Sequence, residues 1–310
     1  MIQVEQIRKS FNGVHALDGF SLRVGKGELV GLVGPNGAGK TTLIKILSTL
    51  LLPNSGAARI DGKSVVSEPF AVRSMVGYLA DQSGLYQEMR VREFLEFFAD
   101  AFHLSGTNRE EAISSALSRA RLEERSNDYV ESLSFGTKQR LMLAKTLLHR
   151  PSVLLLDEPA TGLDPLARTE LREFLKELNS QGMTILISSH ILADLEDICT
   201  HVALISKGQN VSGDSDNGVL PMRSSEQNTQ MFELELLRDN KGAAASIAHL
   251  ANVKIVEAGA TRFLLAISGN DKDAAEVLRA LVTLGLPVIR FDRQTMDLEQ
   301  RYRLAFGGAR

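Results

Sequence analysis

The chain is poor in several features that would fix its class at once. Cys199 is its only cysteine, so no internal disulfide can form, and a reducing compartment is expected. It has no long apolar run. The longest such stretch, LIKILSTLLL at 43–52, includes Lys45 and falls well short of the roughly 20 residues that span a bilayer. The N-terminal text MIQVEQIRKS has no apolar core of signal-peptide length. Excess charge is also absent. A formal net charge of −3 and a pI near 6.1 give no electrostatic grip on nucleic acid or anionic lipid. Together these point to a cytoplasmic protein that reaches a membrane only through a partner and has no nucleic-acid partner.

What is present is ample for a core. Hydrophobic residues make up 44% of 310 positions, enough for two domains. LVGLV (29–33), SVLLLD (152–157) and TILIS (184–188) are nearly continuous in hydrophobicity, as parallel strands buried on both faces require. Helical text separates them. After Asp164–Pro165, a capping residue followed by proline at the first helical position, Leu171, Phe174, Leu175 and Leu178 fall on one face. Strands alternating with helices predict an α/β core with a mainly parallel sheet. Residues 85–148 read as a helical insertion. Residues 1–213 are expected as one domain and 214–230 as a polar linker, although the linker's approach can still hold a hairpin of the first domain. Residues 231–310 follow the order βαββαβ with a last helix over DLEQRYRLAF, the pattern of a small α+β ferredoxin-like domain. It holds no cluster of catalytic residue types, which favours a regulatory or dimerising role.

GPNGAGKT at 34–41 matches G-x-x-x-x-G-K-[ST] and lies between an apolar strand and a helix bearing Leu43, Ile44, Ile46, Leu47 and Leu50. The phosphate-binding set is Gly34, Pro35, Asn36, Gly37, Ala38, Gly39, Lys40, Thr41 and Thr42. Its glycines turn backbone N–H groups inward, and the helix N-terminus adds partial positive charge. Lys40 supplies a full charge to the terminal phosphates, and the Thr41 hydroxyl suits Mg²⁺. LLLDEP puts Asp157 and Glu158 at the C-terminal end of a buried strand, where open α/β sheets bind ligands. Adjacent residues there diverge, so Asp157 is assigned to Mg²⁺ and Glu158 to general-base activation of water. His190 ends the following strand and is assigned to orient the γ-phosphate.

The phosphate loop, LSFGTKQR (133–140), LLLDEP, TGLD and SSH, in that order, resemble the ATP-binding subunit of ABC transporters over about residues 1–213. The small C-terminal domain resembles the appendage of drug- and antibiotic-export subunits, whose membrane channel is a separate chain. The resemblance implies a P-loop ABC cassette in which two copies, or one copy and a sister cassette, close head to tail on two ATP molecules and drive a separate transmembrane permease. It places Ser134 on the partner's γ-phosphate, uses Gly136 for close backbone approach, and makes Asp164 a bridge between the chains. It places Phe11 on adenine, and a cytoplasmic helix of the channel beside the stripe Phe94, Phe97, Phe98 and Phe102. The family usually has glycine at the place of Phe135 and often glutamine at Thr137. Phe135 lies between a capping serine and a first helical turn, where ordinary dihedrals suffice, so it is expected to point away from the nucleotide. The family's Mg²⁺-contacting glutamine falls on Asp81 by spacing from Tyr78, with Gln82 adjacent, and either oxygen can serve. The expected activity is ATP hydrolysis coupled to export. The alternatives are a soluble ABC ATPase without a transport role and a nucleotide-sensing regulator.

Overall fold

The computed structural model describes residues 1–81, 84–191, 195, 197–211, 218–221, 229–238 and 242–294. Gln82, half of the Mg²⁺ alternative, lies outside the described residues, as does the helix expected over 297–306. The chain divides into two compact units, Met1–Arg223 and Ser224–Arg310.

The first unit begins with β1 (Ile2–Phe11) and β2 (Val14–Val24), a hairpin, followed by β3 (Leu29–Val33) and α1 (Lys40–Leu47). Then come β4 (Ser55–Ile60), β5 (Lys63–Ser64), α2 (Pro69–Met75) and β6 (Val76–Leu79). The insertion follows as α3 (Val91–Ala101), α4 (Gly106–Arg119), two short 3₁₀ turns and α5 (Phe135–Leu147). The unit continues with β7 (Val153–Asp157), α6 (Pro165–Ser180), β8 (Thr184–Ser189), β9 (His201–Ser206), β10 (Gln209–Asn210) and β11 (Leu220–Pro221). The order β2-β1-β4-β5 forms an antiparallel sheet, and β10-β9-β3-β8-β7-β6 forms the central one, parallel from β9 to β6. The two sheets share a core that includes Ile7, Phe20, Leu32, Ile46 and Leu155.

Local sequence explains the elements that carry the site. β3 and β7 are buried at every residue, as their nearly continuous hydrophobicity requires. In α6 the buried residues are Leu171, Phe174, Leu175 and Leu178, and the Asp164 carboxylate accepts the Ala167 N–H at 2.8 Å as the cap. Each such buried side chain stabilises by about 1.5–3 kcal/mol relative to an exposed one. α1 is shorter than its apolar text: Thr49 turns out of the helix at φ 62°, leaving Leu50 60% exposed. The aromatic stripe of α3 divides. Phe94 is fully buried, Phe97 and Phe102 are part-exposed, and Phe102 stacks on His149 at 4.4 Å instead of joining the ring cluster of Tyr86, Phe94, Phe97 and Phe98.

The segment expected as a linker, 214–230, takes part in both units at its ends. Leu220 pairs with Val202 and Pro221 with His201, placing β11 on the central sheet. β12 (Thr229–Leu236) already belongs to the second unit. That unit continues with α7 (Ala243–Ala248), β13 (Val253–Ala258), β14 (Arg262–Ser268), α8 (Asp271–Thr283) and β15 (Val288–Gln294). Its antiparallel sheet has the order β13-β14-β12-β15, the arrangement of a split βαββαβ fold. It has its own core of Leu234, Ile247, Leu265, Ile267 and Leu281.

Candidate functional site

The parallel register of the central sheet assembles the site. Val33 pairs with Ser189, Asp157 with Ser188, and Leu79 with Leu156. The segments that leave these strands therefore emerge along one edge: the phosphate loop after β3, Glu158 after β7, His190 after β8 and Asp81 after β6. These residues meet in a cleft of about 510 Å³ lined by Phe11, the loop Asn36–Thr42, Asp81, Glu158, Thr161 and His190. That volume lies in the usual range for small-molecule sites.

At Gly34 and Gly39 the phosphate loop is wedged against neighbours that leave no room for a side chain. A Cβ at Gly34 would stand 2.2 Å from the Ile205 carbonyl oxygen of β9. At Gly39, φ is 112° and a Cβ would approach the Ala16 carbonyl to 2.4 Å. Lys40 is 5% exposed, and its Nζ donates to the carbonyls of Gly34 at 2.7 Å and Pro35 at 3.2 Å. The same ammonium lies 3.2 Å from Glu158 Oε1. The cation is thus held by two carbonyls of its own loop and paired with the Glu158 carboxylate.

Asp157 and Glu158 separate as adjacent strand-end residues should. Asp157 is 1% exposed and accepts from Thr41 Oγ1 at 3.1 Å and from Ser188 Oγ at 2.8 Å. Burial pushes its carboxyl above the ordinary range; the two hydroxyls pull it back, and the charges of Glu158 and Asp81 push it up again. Glu158 leaves the strand at φ 49°, with its N–H donating to Ser188 Oγ at 2.9 Å. Its Oε2 accepts from His190 Nδ1 at 2.8 Å and from the His190 N–H at 3.4 Å. Because a carboxylate only accepts, the proton sits on Nδ1, and Nε2 is the ring atom left for a ligand. Asp81 lines the cleft, and its charge and that of Asp157 add to the burial that lifts the Tyr78 hydroxyl to about 12.

The donor set around Asp157 suits Mg²⁺. Carboxylates and a hydroxyl supply hard oxygen ligands, and the burial that raises Asp157 is relieved by a cation. Among the described residues no group of three or more His, Cys, Asp or Glu could hold a metal. An ion that keeps its waters and shares a substrate's phosphates does not need one.

Ser134, Gly136 and Asp164 lie on the α5–α6 side of the unit and are not among the residues lining this cleft. Ser134 caps α5: its Oγ accepts the Thr137 N–H at 3.2 Å and lies 2.8 Å from Thr137 Oγ1. Phe135 has no positive φ and is 56% exposed. Gly136 is also fitted closely to its own chain. A Cβ there would stand 2.8 Å from Ala167 Cβ, so the gap serves the packing of α5 on α6. Sequence reasoning missed Ser188, which ties Asp157 to the Glu158 backbone, and Gln139, whose Nε2 donates to the Pro159 carbonyl at 2.9 Å. The only local signal for the former was a hydroxyl at the end of an apolar strand before His190.

A phosphate loop facing a buried aspartate, a neighbouring glutamate and a strand-end histidine, all on the C-terminal edge of a parallel sheet, defines a P-loop nucleotide-hydrolysing cassette. The chain belongs to the ATP-binding subunits of ABC transporters, which bind and hydrolyse ATP. Residues 17–161 match the family profile described as ABC transporter. The chain is 32% identical over 305 residues to daunorubicin resistance ATP-binding protein DrrA3 of Streptomyces coeruleorubidus, spanning 96% of this chain and 93% of that one. It is 36% identical over 211 residues to Nod factor export ATP-binding protein I of Paraburkholderia xenovorans (strain LB400), 68% of this chain and 69% of that one. Among solved structures, an ATP-binding subunit of an ABC transporter superposes with TM-score 0.62 at 32% identity, over 70% of this chain and 90% of that one. The dimeric cassette MJ0796 bound to ADP and Pi shares the fold at TM-score 0.63 and 24% identity, over 72% of this chain and all (100%) of that one. Subunits of this family dimerise and pair with a transmembrane permease. Among the described residues no helix is long and apolar enough to cross a membrane.

Proposed function

We propose that two copies of this chain close head to tail around two ATP molecules, on the cytoplasmic face of a membrane, and so drive a separate permease that exports its substrate. The observation that carries this reading is the separation within one chain. Lys40, Glu158 and His190 line one cleft, whereas Ser134, at the N-terminus of α5, lies outside it. A helix N-terminus, whose first N–H groups have no intrahelical acceptor, with a serine hydroxyl able to donate beside them, is an anion site, and in a head-to-tail pair it meets the phosphate held by the other chain. The dimeric form of a cassette with this fold supports the pairing. The resistance and export roles in the relatives' names support the direction of transport.

In that complex Phe11 stacks on the base, and Lys40 exchanges Glu158 for the terminal phosphates. The released Glu158 accepts a proton from the attacking water while His190, steadied through Nδ1, turns its Nε2 edge toward the γ-phosphate and orients it. Thr41 and Asp157, with Asp81 beside them, would hold Mg²⁺, which supplies charge neutralisation on the phosphates. The second unit, from about residue 231, serves as a regulatory or dimerising accessory.

Glu158→Gln provides the test. It keeps a polar side chain beside Lys40 but removes the base, so steady-state phosphate release should fall by about 10²-fold or more. Size-exclusion chromatography with ATP should show a dimer that is absent without nucleotide. Turnover near the wild-type rate would remove Glu158 from the base role.

A further inference from the structure

Phe135 does something other than avoid the nucleotide. An exposed phenylalanine at a helix's first turn contributes little to folding, because most of its apolar surface stays in water. Its ring nevertheless has a specific neighbour. A Cβ built on Gly162 would stand 3.2 Å from Phe135 Cε1 and 3.4 Å from Cζ, so the ring occupies the sector a side chain at 162 would need. Gly162, at φ 78°, is the pivot of the segment joining Glu158 to Asp164.

That segment is short of internal support. Its backbone bonds are two tight turns, Thr161 N–H to the Glu158 carbonyl at 3.1 Å and Leu163 N–H to the Ala160 carbonyl at 3.3 Å. The same end of α5 grips both flanks: Gln139 holds the Pro159 carbonyl at 2.9 Å, and Gly136 packs on Ala167. Phe135 on Gly162 is the contact in the middle. Without the ring, a glycine with the widest backbone freedom would sit unwalled four residues from Glu158.

We propose that Phe135 is a positioning residue for hydrolysis: by wedging its ring against Gly162, α5 holds the Glu158–Asp164 segment of its own chain in the geometry that sets the Glu158 carboxylate. The inference rests on the role of Glu158 proposed above. It makes the phenylalanine a replacement brace in a turn that usually carries glycine, not a tolerated defect.

The experiment compares Phe135→Gly, Phe135→Leu, Gly162→Ala and the pair Phe135→Gly/Gly162→Ala by steady-state ATP hydrolysis and by binding of a fluorescent ATP analogue. A shift of 1 Å in a catalytic group can cost about 10²-fold, so a loosened brace should lower kcat by about 5- to 20-fold in Phe135→Gly. KM and analogue affinity should hold, and Phe135→Leu, which keeps an apolar wall, should recover most of the rate. Gly162→Ala drives a methyl into the ring. With the ring gone that methyl has room, so the pair should lose less than the product of the single losses. A kcat for Phe135→Gly within about twofold of wild type overturns the proposal. So does a KM that rises as much as kcat falls, a Leu variant no better than Gly, or losses that simply multiply. Glu158→Gln separates the two readings. If that variant turns over normally, the base assignment fails. If it is inactive while Phe135→Gly is unaffected, only the brace fails.

Discussion

An adenine ring offers a flat apolar face, and a side chain that stacks on it adds affinity without reading the base by hydrogen bonds. Phe11 lines the cleft at the tip of the β1–β2 hairpin, is 47% exposed, and has Lys9 Nζ 5.2 Å from its ring centre. Because the ring is so open, truncating it removes little that holds the hairpin together. Base–aromatic stacking is worth about 1–3 kcal/mol by alanine substitution. Phe11→Ala should therefore raise KM for ATP by about 5- to 100-fold with kcat nearly unchanged, while Phe11→Tyr stays close to wild type. ATP and GTP should both show the loss, because a stacked ring does not choose between purines. Steady-state kinetics with both nucleotides checks this, and a fall in kcat at unchanged KM would take Phe11 off the base.

At the scale of the element, α5 joins a serine cap, proposed to meet phosphate, at its start to a structural clasp at its end. His149, just past its last turn, places Nε2 2.9 Å from the Val76 carbonyl at the start of β6. The carbonyl can only accept, so Nε2 carries a proton, and Nδ1 is buried against the Phe102 ring without a partner among the described residues. Burial holds the pKa of His149 below its ordinary 6.5, with the Val76 bond opposing weakly. The unfolded chain therefore takes up the proton more readily than the folded one. The clasp's contribution is fully present above about pH 6.5 and is lost as pH falls through the folded value. His149→Gln keeps a donor for Val76 but does not titrate. Urea midpoints at about pH 5.5 and about pH 7.5 should draw together in the variant relative to wild type. An unchanged difference would mean that other groups set the acid limb.

The parts of this architecture written in the sequence are those that local chemistry dictates. β3, β7 and β8 are nearly continuous apolar runs, α6 has its cap, its proline and its apolar face, and the phosphate loop needs Gly34 and Gly39 where they stand. Residues whose position is fixed by such an element, such as Lys40, Asp157 and Glu158, lie where that element puts them. The remainder depends on contacts between distant positions. That Gly136 answers to Ala167, that Ser188 bridges Asp157 and Glu158, and that β11 rejoins β9 are consequences of packing and register with no local periodicity to announce them. α1 ends early for a related reason: the apolar text runs on to Leu50, but backbone geometry at Thr49 overrides the pattern.

For the whole molecule, the proposed head-to-tail pair divides the groups needed around one ATP between two chains. A Lys40→Ala homodimer would have two defective phosphate loops. A Ser134→Glu homodimer would have two intact loops, each facing a carboxylate where the γ-phosphate expects a donor. Mixing the two changes the arithmetic. Where one chain of each kind pairs head to tail, one cleft combines both defects, and the other joins an intact loop to an intact serine. With random pairing about half of the dimers are mixed, and each has one good site in two, so the mixture should recover up to about a quarter of the wild-type rate. Neither variant alone should show that activity. A site complete within a single chain could not be rescued this way, since every chain present has a lesion. A mixture no faster than the sum of its parts, with both variants folded and dimerising, would rule out the shared site.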